Sequence, residues 1–140
     1  MPTPETSQSL EALLQESSFD FLATGKHRTS SKKPLSNHDV VLLDVRCDEE
    51  VHMLPIAATV ALTVARIPVH EIPNRADETP TDRPVAVFCS AGTRATMAYV
   101  CLRTLGLGEV RIMSGGLPEL IGHALPGAIW KRQSLMEETS

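Results

Sequence analysis

Three short apolar runs limit what this chain can fold into. They are VVLLDV at 40–45, VAVF at 85–88 and VRIM at 110–113. The first is continuous, rich in β-branched residues and ends in Asp44. That is the pattern of a strand buried on both faces, as in a parallel sheet. The other two read as further buried strands. Between them, Thr93–Leu105 predicts the best helix of the chain. It carries Met97, Ala98, Cys101, Leu102 and Leu105 on one side, and Gly106 stands where a left-handed C-cap is wanted. Strand, helix and strand form one βαβ unit with an expected right-handed crossover. The class is therefore α/β, with a mainly parallel central sheet flanked by helices.

The rest of the chain fills in around this unit. The first eight residues are rich in Pro, Thr and Ser and read as loose. Ser9 or Ser7 caps a short helix with Leu10, Leu13 and Leu14 on one face, and Phe19, Phe21 and Leu22 are expected anchors that pack this arm on the domain. Thr24–Asn37 is polar, basic and interrupted by Pro34, so it reads as a surface loop. A helical turn is expected at Asp48–Met53, a strand around Thr59–Val64, a short helical turn among Pro68, Pro73 and Pro80, and a last helix at Leu117–Ala124. The expected organisation is an N-terminal arm at 1–35, the folded domain at 36–126 and a tail at 127–140, with Trp130 pinning the tail.

Composition narrows the function. With 42% hydrophobic and 21% charged residues, the chain has an ordinary globular composition. A net charge of −4 gives no support for nucleic-acid binding or anionic lipid. No apolar run approaches a membrane span, and the N-terminus lacks the basic and apolar regions of a secretory signal. Three unclustered cysteines, Cys47, Cys89 and Cys101, argue against a disulfide framework and a structural zinc site. A reduced, cytoplasmic protein is expected, and there a special cysteine is reactive rather than cross-linked.

Cys89 is that cysteine. It opens CSAGTR, between the strand 85–88 and the helix after it, at a strand carboxyl end where sites in such sheets lie. The N-terminal end of a helix offers a positive dipole end and unpaired N–H groups, which stabilise a thiolate. Gly92 lets the backbone curl into an anion nest, Ser90 and Ala91 are small enough to leave its mouth open, and Thr93 and Arg94 complete it. Arg94 adds a permanent charge. The set is a nucleophile with a cradle for negative charge.

Cys-x-x-Gly-x-Arg after a buried strand, preceded by Asp-Val-Arg at 44–46 and followed by a strand and Gly-Gly, resembles the single-domain rhodanese-like sulfurtransferases. The landmarks are DVR at 44–46, IPVHEIP at 67–73, VFCSAGTRA at 87–95 and LGLGEVRIMSGG at 105–116. The resemblance runs from about Val40 to Leu120 and implies a three-layer rhodanese-like fold. It further implies that Cys89 takes the outer sulfur of thiosulfate or a persulfide, becomes a cysteine persulfide, and passes the sulfur to a thiol, cyanide or a sulfur-carrier protein. The N–H groups of residues 90–94 would hold the persulfide. Arg94 would bind an anionic donor, with Arg46 as a candidate second contact, and Asp44 would orient the loop or Arg94. Against this, Asp44 and Arg46 also read as a strand-end ion pair that supports the loop, a reading weighed evenly with substrate contact for Arg46 and favoured for Asp44. No metal or organic cofactor is implied. The chain departs from the family at MLPIAATVALTVARIP, residues 53–68, which lacks the usual Gly-His-Ile-x-Gly-Ala stretch, so the turn and strand there should be built differently.

Two other readings compete. One is a catalytically weak rhodanese-like module that binds a sulfur-carrier or regulatory partner. The other is a cysteine phosphatase or arsenate reductase, whose signature has five residues between cysteine and arginine. Here there are four, Ser90 to Thr93, and a smaller ring suits a terminal sulfur better than a phosphate. Cys47, on the same edge as Cys89, reads as an incidental surface cysteine in preference to a resolving thiol. Cys101 reads as core, and the five histidines, without metal spacing, as surface or packing residues.

Overall fold

The structure is a computed structural model that describes residues 7–37, 39–56, 63–123, 126–127 and 130–131. A sheet of five parallel strands forms its centre: β1 (Arg28–Thr29), β2 (Val41–Asp44), β3 (Thr63–Arg66), β4 (Val85–Phe88) and β5 (Val110–Met113), in the order β1-β5-β4-β2-β3. Every residue of β2 and β4 is buried, which is why neither run alternates. The α/β class and parallel sheet expected from the sequence are what the fold contains.

Seven helices surround the sheet among the described residues: α1 (Leu10–Glu16), α2 (Phe19–Ala23), α3 (Lys32–Ser36), α4 (Asp48–Met53), α5 (Ile72–Arg75), α6 (Thr93–Thr104) and α7 (Gly116–His123). Successive side chains of a strand point to opposite faces, so the sheet divides its core in two. Val41, Leu43, Val85 and Val87 meet Ala95, Ala98, Tyr99 and Leu102 of α6 on one face. Leu42, Ala86, Phe88 and Met113 meet Leu120 of α7 and Leu35 of α3 on the other. Each fully buried Leu or Val contributes roughly 1.5–3 kcal/mol of transfer free energy. Helix α6 ends as its sequence demands, with Gly106 at φ 100° directly after the C-cap Leu105.

Several local expectations are corrected. The polar stretch 24–37 is not a loop throughout. Arg28 and Thr29 add the edge strand β1 to β5, with Ile112 N–H donating to His27 O at 2.8 Å and Ser114 N–H to Thr29 O at 2.9 Å, and α3 follows. Those bonds join residues more than eighty positions apart, so no local pattern announces them. Phe19 is 84% exposed and Leu22 about half exposed, so neither is a buried anchor of the arm. Leu13 does so instead, at 2% exposure, with Arg103 Nη2 of α6 donating to Glu16 of α1. Met97 faces solvent, and Ala95 and Tyr99 take the inward positions of α6. Of the strand expected around 59–64, residues 59–62 lie outside the described ones, and β3 runs over Thr63–Arg66. Trp130 is mostly exposed.

Among the described residues no helix is long and apolar enough to cross a membrane, and no cluster of side chains is arranged to hold a metal ion.

Candidate active site

Strand order decides where a site can form. From β2 the chain passes to β3 on one side, and from β4 it passes to β5 on the other. The crevice in an open parallel sheet lies beyond the carboxyl ends of two such neighbouring strands. Here those ends are Asp44 and Phe88, partners in the β2–β4 register. The next residues on each strand are Val45, whose N–H donates to Phe88 O at 3.1 Å, and Cys89.

Cys89 is only 1% exposed. Its Sγ accepts the N–H of Gly92 at 3.0 Å and that of Ala95 at 3.4 Å. Gly92 takes φ 120°, a value open to glycine and strained for other residues, and it is the N-cap of α6. Ala95 is the third residue of that helix, so its N–H is one of the donors a helix start leaves free. Residues 90–94 were expected to supply every donor of the cradle, but one of the two on sulfur comes from Ala95, just past the motif. Ser90, Ala91, Thr93 and Arg94 form the rest of the ring, with Ala91 and Thr93 exposed at its outer edge.

A second glycine fixes the ring from outside. Gly116 sits at φ 60°, and a Cβ there would fall 2.6 Å from Ser90 O. This close approach lets Leu117 N–H donate to Ser90 O at 3.2 Å, which ties the start of α7 to the loop.

The two arginines have different partners. Arg46 is enclosed, with its Nη2 donating to Asp44 Oδ2 at 2.8 Å and its Nε to Oδ1 at 3.0 Å. Its Nη1 donates to Leu54 O at 2.9 Å, and the guanidinium lies 5.4 Å from the centre of the Phe88 ring. Asp44 thus holds Arg46 and not Arg94, and Arg46 is almost fully enclosed, reaching only the wall of the cavity between α4 and Ser90. Arg94 instead meets Glu50 of α4 through both Nη atoms, Nη2 to Oε2 at 2.9 Å, and its Nη2 also donates to Ser90 Oγ at 3.2 Å.

Glu50 is the functional-site residue that the sequence reading missed. Its carboxylate accepts from Arg94, from Ser90 Oγ at 2.7 Å, and from Cys47 N and Sγ at 3.2 and 2.9 Å. Arg94, then Cys47 and Ser90, hold its carboxyl well below the usual carboxylate range. In return Glu50 raises Arg94 further and pushes the Cys47 thiol up, which keeps Cys47 protonated and a poor nucleophile. Cys47 is half-buried in this network and caps α4, so it is not an incidental surface residue. The signal was present as a capping-box spacing, position 47 to Glu50, but in the acidic run DEE it looks like ordinary helix-start charge. Cys101 is partly buried against the core, and burial raises its thiol.

Residues 28–123 match the family model described as the rhodanese-like domain. The chain belongs to the rhodanese-like sulfurtransferase family. A protein named sulfurtransferase from Allochromatium vinosum is 34% identical over 98 residues, which cover 69% of this chain and 85% of that protein. A rhodanese-related protein from Thermoplasma volcanium superposes with a TM-score of 0.58 at 24% identity, over 71% of this chain and 95% of the other. A single-domain sulfurtransferase of Saccharomyces cerevisiae superposes at 0.53 and 21% identity, over 68% and 88% of the two chains. These two likenesses are of fold. At family level, the rhodanese-like match and the Allochromatium relative support sulfur transfer as the chemistry.

Proposed function

We propose that this rhodanese-like chain is a sulfurtransferase that works through a persulfide on Cys89. The donor is thiosulfate or a persulfide, and the acceptor is a thiol, cyanide or a sulfur-carrier protein. The observation that carries the reading is the Cys89 sulfur receiving the N–H groups of Gly92 and Ala95 inside a ring at the sheet's switch point.

Transfer proceeds in two displacements. The Cys89 thiolate attacks the outer sulfur of thiosulfate, the sulfur–sulfur bond of the donor breaks with its electron pair, and sulfite leaves. Cys89 is then a persulfide anion. The acceptor nucleophile attacks the terminal sulfur, the new bond breaks, and the Cys89 thiolate returns. Cyanide as acceptor leaves as thiocyanate. N–H groups already aimed at the sulfur need no reorganisation as charge moves on and off it, which is the efficient form of electrostatic stabilisation. The chemistry calls for no metal or organic cofactor. Four residues between Cys89 and Arg94 favour a terminal sulfur over a tetrahedral phosphate. A reducing cytoplasm, which keeps Cys47, Cys89 and Cys101 as the free thiols they are here, belongs to the same reading.

The test is thiocyanate production from thiosulfate and cyanide by the wild type and by Cys89→Ser. Turnover by the wild type and none by Cys89→Ser is expected. Undiminished turnover in the variant would overturn the assignment of the nucleophile. No turnover with thiosulfate or with any persulfide donor would leave a partner-binding module as the better reading, and Cys89-dependent hydrolysis of an aryl phosphate would favour the phosphatase.

A further inference from the structure

An anionic donor needs a cation near the ring, and the two obvious ones are committed. Arg46 is closed in with Asp44, and Arg94 is held by Glu50 and Ser90. The ring has cavities on both flanks. The one beside α4, about 350 Å³, has Arg46 in its lining, but that guanidinium is almost fully enclosed and paired with Asp44, and Glu49 and Glu50 stand beside it, so the charge there disfavours an anion. The other is about 510 Å³ and has Ala91, Gly92 and Thr93 of the ring as one wall, the 114–116 turn as another, and His27 and Arg28 as a third. Arg28 is the charged residue in that lining. It has no carboxylate within ion-pair distance among the described residues. Its Nε donates to His27 Nε2 at 3.1 Å, which orients the guanidinium, and among the described residues its terminal nitrogens have no partner. Main-chain bonds from Ile112 of β5 and from Ser114, just past it, to His27 O and Thr29 O fix the backbone on either side of Arg28.

We infer that Arg28 binds the anionic end of the sulfur donor and that His27 is its positioning residue. This rests on the Cys89 sulfur-transfer reading. The site thus extends beyond the Cys89 motif to an edge strand some sixty residues earlier in the chain. The groove has room for a donor larger than a five-atom inorganic ion, since its volume lies within the roughly 300–1,000 Å³ of sites for small organic molecules. The donor that fits is a low-molecular-weight persulfide bearing a carboxylate. Its carboxylate pairs with Arg28 while its outer sulfur meets Cys89. The Cys89 thiolate attacks that sulfur, the donor's sulfur–sulfur bond breaks, and the donor leaves as its thiolate. The terminal S–H stays on the transferred sulfur, so atoms and charge balance without an added oxidant.

The experiment compares loading of Cys89 by three donors, glutathione persulfide, thiosulfate and the uncharged persulfide of 2-mercaptoethanol, in the wild type, Arg28→Met and Arg28→Lys. Arg28 is exposed on an edge strand, so both variants should fold. For Arg28→Met, kcat/KM with glutathione persulfide is expected to fall about tenfold or more, through KM, since charge-assisted bonds to a carboxylate are strong. Loading by the uncharged donor should stay within about twofold, and Arg28→Lys should recover most of the loss. Thiosulfate separates the two sources of negative charge. A loss confined to glutathione persulfide supports the full inference, and a loss shared by both anions supports Arg28 as the anion contact but overturns the carboxylate assignment. Equal loss for all three donors, or no loss with glutathione persulfide, overturns the role of Arg28. A wild type that no donor loads contradicts the sulfur-transfer reading itself.

Discussion

Two arginine–carboxylate pairs stand at the same edge of the sheet and work differently. The Asp44 and Arg46 side chains are 0% and 1% exposed, sealed by Phe88 and the Leu54 carbonyl. The Glu50 and Arg94 side chains are 32% and 31% exposed and share their atoms with Ser90 and Cys47. Burial makes the first pair intolerant of losing one member, because the charge left behind has no water to replace its partner. The second pair keeps contact with solvent, so its worth to stability is modest. Its value lies in geometry, since it links α4 to two residues of the ring around Cys89. One pair holds the platform, and the other sets the shape of the loop on it.

The largest test of this contrast is Asp44→Ala. Leaving Arg46 charged and unpaired should cost about 3–5 kcal/mol in a denaturant titration. The double variant Asp44→Leu with Arg46→Met should recover most of that loss, because the buried charge goes with its partner. Glu50→Ala should separate stability from activity. We expect about 1 kcal/mol or less of destabilisation, with sulfur-transfer kcat/KM down about tenfold to a hundredfold as Ser90 and Arg94 lose their alignment. A large stability loss with activity intact would reverse the roles assigned to the two pairs.

A smaller effect is read against pH. Arg94, Cys47 and Ser90 depress the Glu50 carboxyl in the folded state. A depressed carboxyl contributes stability that is fully present above its unfolded value, near ~4.3, and is lost as pH falls through the folded one. The stability gap between wild type and Glu50→Gln should therefore be flat above about pH 5 and shrink at more acid pH. A gap that widens on acidification would contradict the pairing. The smallest effect is expected at Glu16→Gln, which loosens α1 from Arg103 of α6. With Leu13 still buried, the loss should be a few tenths of a kcal/mol and shrink further in high salt.

What the sequence made legible follows from the range of the interactions. The strands β2, β4 and β5, the helix α6 with Gly106 after it, and the position of Cys89 at a strand end are all written in local patterns. The edge strand β1 is not, because two residues carry no periodicity and their partners lie in β5. Phe19 and Met97 were misassigned because hydrophobicity does not reveal which face a short helix turns inward. The partner of Arg94 was missed for a different reason. Asp44 ends β2 and Glu50 lies six residues on; a pair of Asp44 with Arg46 is a local reading, two positions apart, whereas only the fold shows Glu50 reaching across 44 positions to the ring.

The central claim is that the Cys89 cradle carries a sulfane sulfur. Intact-protein mass after exposure to thiosulfate or a persulfide donor, followed by peptide mapping, tests it most directly. The account predicts a gain of one sulfur, about 32 Da, on Cys89 in the wild type and none in Cys89→Ser. An adduct that persists in Cys89→Ser, or a wild type that gains nothing from any of these donors, would contradict it.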